Sequence, residues 1–206
     1  MNILIVFLIP VYMASVARSA PLPDGSTLVA DPEIVQRSRS LIKKILLSIP
    51  DAHKSCIYIE TLKLNSSENE KLGVMASNIG IPPAPVLKNL SETFTLETGL
   101  ERMSEGLQLH RALLTSVSPS LENIDKVAEL QADIKDLVIQ INKMLYQVKG
   151  ETVVQPTPTP VALRLAGKFE AQVAAHLTLV QLQSFGHDVV RLLRCLDQSG
   201  EEETES

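Results

Sequence analysis

The sequence predicts an all-α protein built as a bundle of four long helices, and three observations carry that prediction. From Val161 to about Asp197 runs a proline-free apolar stretch in which Phe169, Val173, Leu177 and Val180 recur at helical spacing, widened by Ala175, Leu179, Leu182, Val189, Leu193 and Leu196. A helix of that length, roughly 55 Å at ~1.5 Å per residue, needs several partners to cover so broad a stripe. Two segments in the middle of the chain alternate apolar residues every four and three positions, the seam of a bundle helix. Aromatic residues are only 3% and tryptophan is absent, so leucine, isoleucine and valine fill the core, a balance that favours packed helices over sheets. A chain of 206 residues is long enough for one domain with a substantial core.

The first segment reads as an address. Ile3 to Ile9 is an unbroken apolar run, Pro10 follows, and Ala17-Arg18-Ser19 places small residues where a signal peptidase reads, so residues 1–19 are expected to be a signal peptide cleaved after Ser19. The run is shorter than the ~20 residues a membrane span needs. No second apolar run looks like an anchor, so the mature chain is expected to be secreted, extracellular and not inserted in a membrane. Residues 20–30 read as a flexible leader.

Asp31, Pro32 and Glu33 start the first helix: a capping side chain, a proline whose missing N–H costs nothing there, and an acid at the positive end of the dipole. The first helix is predicted over about 31–49, with Ile34, Leu41, Ile45 and Ile49 on one face and Arg37, Arg39, Lys43 and Lys44 on the others. Pro50 ends or kinks it, and Asp51 can cap a continuation as far as residue 60. From Leu62 to about Ser91 no helical period is sustained, so this reads as a long crossover connection. Asn65 and Asn89 both open N-glycosylation sequons inside it.

The second helix is predicted over about 92–117, with Leu96, Leu100, Met103, Leu107, His110, Leu114 and Val117 on its seam. The third is predicted over about 119–149, carrying Val127, Leu130, Ile134, Leu137, Ile141, Met144 and Val148 and capped by Gly150. Ser118-Pro119 makes the connection between them tight. Glu151 to Pro160 contains Gln-Pro-Thr-Pro-Thr-Pro and is expected to run extended as a spacer. The fourth helix is predicted over about 161–197, and residues 198–206 read as a disordered acidic tail. A long first connection fits a bundle whose first two helices run the same way; the loop lengths permit an up-up-down-down order without requiring it.

Composition narrows the function classes. A net charge of −5 with no Lys/Arg cluster does not suit nucleic acid. His53, His110, His176 and His187 are scattered, only His176 and His187 share a face, and three turns separate those two. No phosphate loop or nucleophile motif is present, so neither an enzyme nor a metal or other cofactor is expected. On the third helix Glu122, Asp125, Glu129, Asp133 and Asp136 fall at spacings of three and four, forming an acidic flank about 100° round from the apolar seam. Such a stripe alone is more often a solvated face than a binding site.

Several stretches bear a family resemblance. Leu72-Gly73, Gly80-Ile81-Pro82 with Ala84-Pro85, Gly106-Leu107 with Leu113-Leu114, Ser118-Pro119, Gln155-Pro156-Thr157 and Leu182-Gln183-Ser184-Phe185 with Arg191 and Leu193-Arg194 resemble, in that order, the interleukin-6 and colony-stimulating-factor family of class I helical cytokines. The resemblance implies an up-up-down-down bundle, a free monomer, and a growth factor that dimerises a class I cytokine receptor of the colony-stimulating-factor type in a 2:2 assembly. It implies that Asp133 and Asp136, flanked by Asp125 and Glu129, contact the principal receptor module. A neighbouring face of the first helix, around Gln36, Arg39 and Lys43, would join them. A second contact falls on Glu68, or on Glu70 if the loop register shifts.

The departures from the family pattern are also informative. The family's paired cysteines around the second helix correspond to Asn89 and Gly99, its aromatic to His110, and the cysteine expected soon after Cys56 is absent. Each lost staple is ordinarily worth ~2–4 kcal/mol. The implied topology puts Cys56 and Cys195 at opposite ends of the bundle, too far for the ~6 Å between Cα atoms that a disulfide allows, so both are expected to be unpaired. The alternatives are an interleukin-6-like factor with another receptor and, more remotely, a secreted lipid-binding helical bundle, against which the acidic third helix argues.

Overall fold

The computed structural model describes residues 30–88, 94–150 and 161–201. The expected signal peptide, all but the last residue of the leader, the Asn89 sequon, the proline-rich spacer and the end of the acidic tail lie outside the described residues. Helix α1 spans Pro32–Cys56, a 3-10 turn Ser67–Leu72 and a short α2 Gly73–Ile79 lie in the crossover, and α3 spans Leu96–Val117. A second 3-10 turn, Ser118–Ser120, leads to α4 at Asp125–Lys149, and α5 runs Lys168–Glu201. The four long helices of the sequence reading are therefore α1, α3, α4 and α5.

Cross-helix contacts fix the directions. Lys149 on α4 reaches Glu97 and Glu101 at the start of α3, while Gln131 reaches Thr115 near its end, so α3 and α4 are antiparallel. The Asp31 N–H donates to Gln147 and Lys44 pairs with Asp133, so α1 and α4 are antiparallel as well. His53 meets His176, and Gly186 faces Leu46 and Ile42, which sets α5 antiparallel to α1. Gly99 faces Leu192 and Gly106 faces Phe185, which sets α5 antiparallel to α3. Helices α1 and α3 thus run up and α4 and α5 run down, each up helix packing on both down helices. The long crossover exists because two consecutive parallel helices need a connection the length of the bundle.

The seams pack as their periodicity dictates. Ile42, Ile45 and Ile49 from α1, Leu107 and Leu114 from α3, Ile134 and Leu137 from α4, and Leu179, Leu182 and Phe185 from α5 are all buried. On α1 the buried line is Val35, Ser38, Ile42, Ile45, Ile49, Ala52 and Cys56, so Ile34 and Leu41 flank it rather than lead it. The Asp31 carboxylate caps α1, accepting from the Glu33 N–H at 2.9 Å, with Pro32 in the first turn. Gly150, in the left-handed region at φ 68°, closes α4.

Several boundaries differ from the sequence reading, each for a local reason. Helix α1 runs through Pro50 to Cys56: an interior proline costs ~3 kcal/mol, but Ile49, Ala52 and Cys56 are essentially fully buried beside it, and that packing holds the helix together. Helix α4 begins at Asp125, not near 119, because Asn123 adopts φ 51° and interrupts the helical path between Pro119 and Asp125. Helix α5 begins at Lys168, not near 161. Over residues 161–166 Val161, Leu163 and Leu165 are half-buried while Ala162, Arg164 and Ala166 are exposed, a two-residue alternation of extended chain, and the Arg164 N–H donates to the Ile79 carbonyl at 2.8 Å. At its other end α5 continues four residues past Asp197, so the expected tail begins as helix. Ala30, read as leader, is buried against the core, and Phe169, read as part of the apolar stripe, is 53% exposed. The crossover contains α2, which at seven residues is too short to show a period and ends at Gly80, φ 91°.

Candidate functional site: a charged face on α1 and α4

At about 100° per residue, Asp125, Glu129, Asp133 and Asp136 lie within roughly 80° of arc on α4. Glu122 leaves this stripe, because it precedes the helix and pairs with Lys168 at 2.9 Å. The four remaining acids are not equivalent. Asp125, Glu129 and Asp136 are exposed, and Glu129 is engaged by Lys126 one turn away at 2.8 Å. Asp133 is only 9% exposed, and its carboxylate accepts from the Lys44 ammonium of α1 at 2.6 Å. The bond to Asp133, and the nearby Asp136 and Glu129 charges, push the Lys44 pKa up. Asp133 therefore ties α1 to α4 beneath an exposed acidic surface.

The α1 side of this face is more apolar than the sequence reading expected. Gln36 and Lys43 are exposed and Arg39 is half-buried, and Leu47, one turn beyond Lys43, is 79% exposed. Lys44 and Leu47 were absent from the residues assigned to this site. Lys44 could be paired with Asp133 only once the antiparallel register of α1 and α4 was known, because 89 residues separate the two. Leu47 had a signal in the sequence: it is a leucine off the buried α1 line, between the charged Lys43 and Pro50.

The second expected contact lies on the 3-10 turn Ser67–Leu72. Ser66 caps it by accepting from the Glu68 N–H, and Glu68 and Glu70 are both exposed, with the Glu68 carboxylate held by Lys71 at 2.7 Å. Asn65, the described sequon asparagine, is exposed just before the turn. Asn69, on the same turn, points inward to α5, where its Oδ1 lies 2.9 Å from His176 Nε2. His176 in turn lies 2.9 Å from His53 of α1. The sequence reading, which left His53 isolated, is corrected here: the crossover and the antiparallel α1–α5 pairing bring His53, His176 and Asn69 into one chain.

Cys56 closes α1 while Cys195 lies toward the far end of the antiparallel α5. Burial pushes the Cys56 thiol up to about 11. No group of three or more metal-ligating side chains forms among the described residues. No helix among them is long and apolar enough to cross a membrane.

An up-up-down-down bundle of four long helices with a structured first crossover, and an acidic surface separate from it, puts the chain in the class of all-α four-helix bundles. Within that class the chain is similar to granulocyte colony-stimulating factor. It is 29% identical over 132 residues to the protein of Homo sapiens, covering 63% of this chain and 62% of that one. It is 30% identical over 128 residues to the protein of Felis catus, covering 61% and 64%. The chain thus matches less than two thirds of the length of these curated relatives. No protein-family profile matches it. Fold and similarity together support a cytokine resembling granulocyte colony-stimulating factor.

Proposed function

We propose that this protein is a secreted growth factor that binds and dimerises a class I cytokine receptor of the granulocyte colony-stimulating-factor receptor type, in a 2:2 assembly, and so drives proliferation, survival and differentiation of granulocyte-lineage cells. The observation that carries the proposal is the α1–α4 face: exposed Asp125, Glu129 and Asp136 stand beside the Lys44–Asp133 pair and the uncovered Leu47. An apolar side chain rimmed by charge is the composition of a protein contact, where the buried group contributes affinity and the charged rim speeds encounter. Gln36, Arg39 and Lys43 extend this face along α1, and Glu68 with Glu70 supplies a second patch on the crossover. Two separate patches are what a ligand needs to hold two receptor chains together.

This places the test on particular atoms. The double variant Glu129→Lys/Asp136→Lys is expected to slow association with the receptor ectodomain roughly tenfold with an unchanged helical spectrum, because it reverses the steering charge without touching the core. Cells carrying only the granulocyte colony-stimulating-factor receptor are expected to respond to the unmodified protein. No response at saturating ligand would favour an interleukin-6-like factor with a different receptor. Asn65 is the described acceptor proposed for N-linked sugar, and Asn89 the other; peptide mapping of the secreted protein before and after glycosidase treatment reads both.

A further inference from the structure

The contact between His53 and His176 is a titratable cluster that the proposed receptor faces do not use. Its hydrogen positions follow from its partners. Asn69 Nδ2 donates to the carbonyls of Lys63 at 3.1 Å and Leu64 at 2.9 Å, which turns its Oδ1 toward His176 Nε2 at 2.9 Å. An amide oxygen only accepts, so His176 Nε2 carries the hydrogen. A neutral imidazole has one N–H, so His176 Nδ1 is bare and accepts from His53 Nε2–H, 2.9 Å away. The result is a directed chain from α1 through α5 to the crossover: His53 donates to His176, His176 to Asn69, and Asn69 to two backbone carbonyls of the crossover.

We propose that His53, His176 and Asn69 form a proton-operated clasp, which holds the 3-10 turn Ser67–Leu72 against the bundle at neutral pH and releases it when His176 is protonated. The proton count gives the mechanism. A first proton can go to His53 Nδ1, because the resulting imidazolium still donates from Nε2. A second can enter only at His176 Nδ1, where it meets the His53 Nε2–H: donor faces donor, and two cations stand with ring centroids 5.2 Å apart. The contact then breaks, and with it the link that holds Asn69.

The surroundings leave the pair to act on itself. His176 is fully buried, and the titratable group acting on it is His53, from α1. From the crossover, Lys63 lines the recess beside His53, while Glu68 is occupied by Lys71. Burial lowers the His53 pKa, and burial together with the His53 charge lowers that of His176 to about 4. A protein taken into an acidified compartment crosses part of this range. For receptor engagement the consequence, the loss of an ordered Glu68 patch in acid, rests on the reading above; the clasp itself does not.

The test uses the free full-length protein and no receptor. In an NMR titration from pH 7.4 to 3, the His176 ring proton and the amides of residues 63–72 are expected to move with one shared midpoint, well below the free-imidazole value of about 6.5. His176→Gln offers the same donor to Asn69 and the same acceptor to His53 without a titratable nitrogen, so its crossover amides are expected to stay in place through pH 3. If that variant does not fold, His53→Gln serves instead: it removes the opposing charge and its amide can turn an acceptor oxygen to the protonated His176, so the His176 titration midpoint is expected to rise by about one pH unit and the crossover amides to stop moving with it. Wild-type crossover amides that stay put while His176 titrates overturn the clasp, as does movement that His176→Gln leaves unchanged, or a midpoint that His53→Gln does not shift. Receptor association of Glu68→Lys at pH 7.4 separately tests whether the turn is a contact, so failure of one reading is distinguishable from failure of the other.

Discussion

The α1–α4 seam and the α3–α5 seam belong to the same bundle, yet they are built on different terms. Across α3 and α5 the chains meet through glycine: a Cβ on Gly106 would lie 2.2 Å from the Phe185 ring, and one on Gly99 would lie 2.9 Å from Leu192. His110, on this seam, is fully buried, bonded to the Gly106 carbonyl and packed on Phe185 with ring centroids 5.3 Å apart. Across α1 and α4 the helices meet through the Lys44–Asp133 pair, whose lysine side chain is 65% exposed, and three further acids face water alongside. Close packing buries the side chains that meet along that seam. A seam bridged by a half-wet ion pair keeps its charges at the surface, where the proposed receptor would meet them.

The comparison can be broken at four points, in decreasing order of expected effect. Acid acting on His110 of the α3–α5 side is first by size of effect. Burial lowers the His110 pKa to about 4, against an ordinary value of 6.5, so the unfolded chain binds a proton that the folded one refuses. Stability is then intact above about pH 6.5 and falls as pH drops toward 4, by about 3 kcal/mol from His110. Urea unfolding of the wild type and His110→Gln between pH 7 and 4 reads this: the wild type should lose far more stability, and equal slopes with pH would remove His110 as the cause.

Second, Gly106→Ala must displace the Phe185 ring, an overpacking expected to cost about 1–3 kcal/mol and visible as a lower midpoint in thermal melts. A neutral result would show that α3 and α5 have room to separate. Third, Asp133→Asn removes a pair whose lysine is largely solvated, so chemical denaturation should show a loss of no more than about 1 kcal/mol. Asp133→Lys, placing two ammonium groups together at a buried position, should cost more, which is why Asp136 and Glu129 are the better probes of receptor contact. Last, Leu47→Ala should change stability by less than about 0.5 kcal/mol because the side chain is mostly in water. Its effect, a faster receptor dissociation by surface plasmon resonance, should appear only in binding. A stability loss as large as that of Gly106→Ala would mean Leu47 is packed and not presented.

Local features of the fold were legible wherever the signal was long or chemically specific. The four-three alternation of α3 and α4 returned as buried Leu100, Met103, Leu107 and Ile134, Leu137, Ile141, because a stripe of that length can only be covered by other helices. Asp31-Pro32 and Gly150 marked their helix ends through capping and left-handed geometry, which are local in the chain. Boundaries failed where two local signals competed. Val161 to Ala166 adjoins a helical stripe although its own alternation has a period of two, whereas at Pro50 the sequence allows both a stop and a continuation, and the packing of Ile49 and Cys56 selects the continuation.

The sequence by itself determined the helices, their apolar faces and the acidic flank of α4, because periodicity, capping chemistry and charge are properties of neighbours along the chain. Only the tertiary structure decided which acids are exposed and which is spent on Lys44, and that His53 meets His176 across 123 residues. Those outcomes depend on the register between helices, which is set by how whole faces interlock, with Gly106 against Phe185 and Gly186 against Leu46. No short stretch of sequence contains that information.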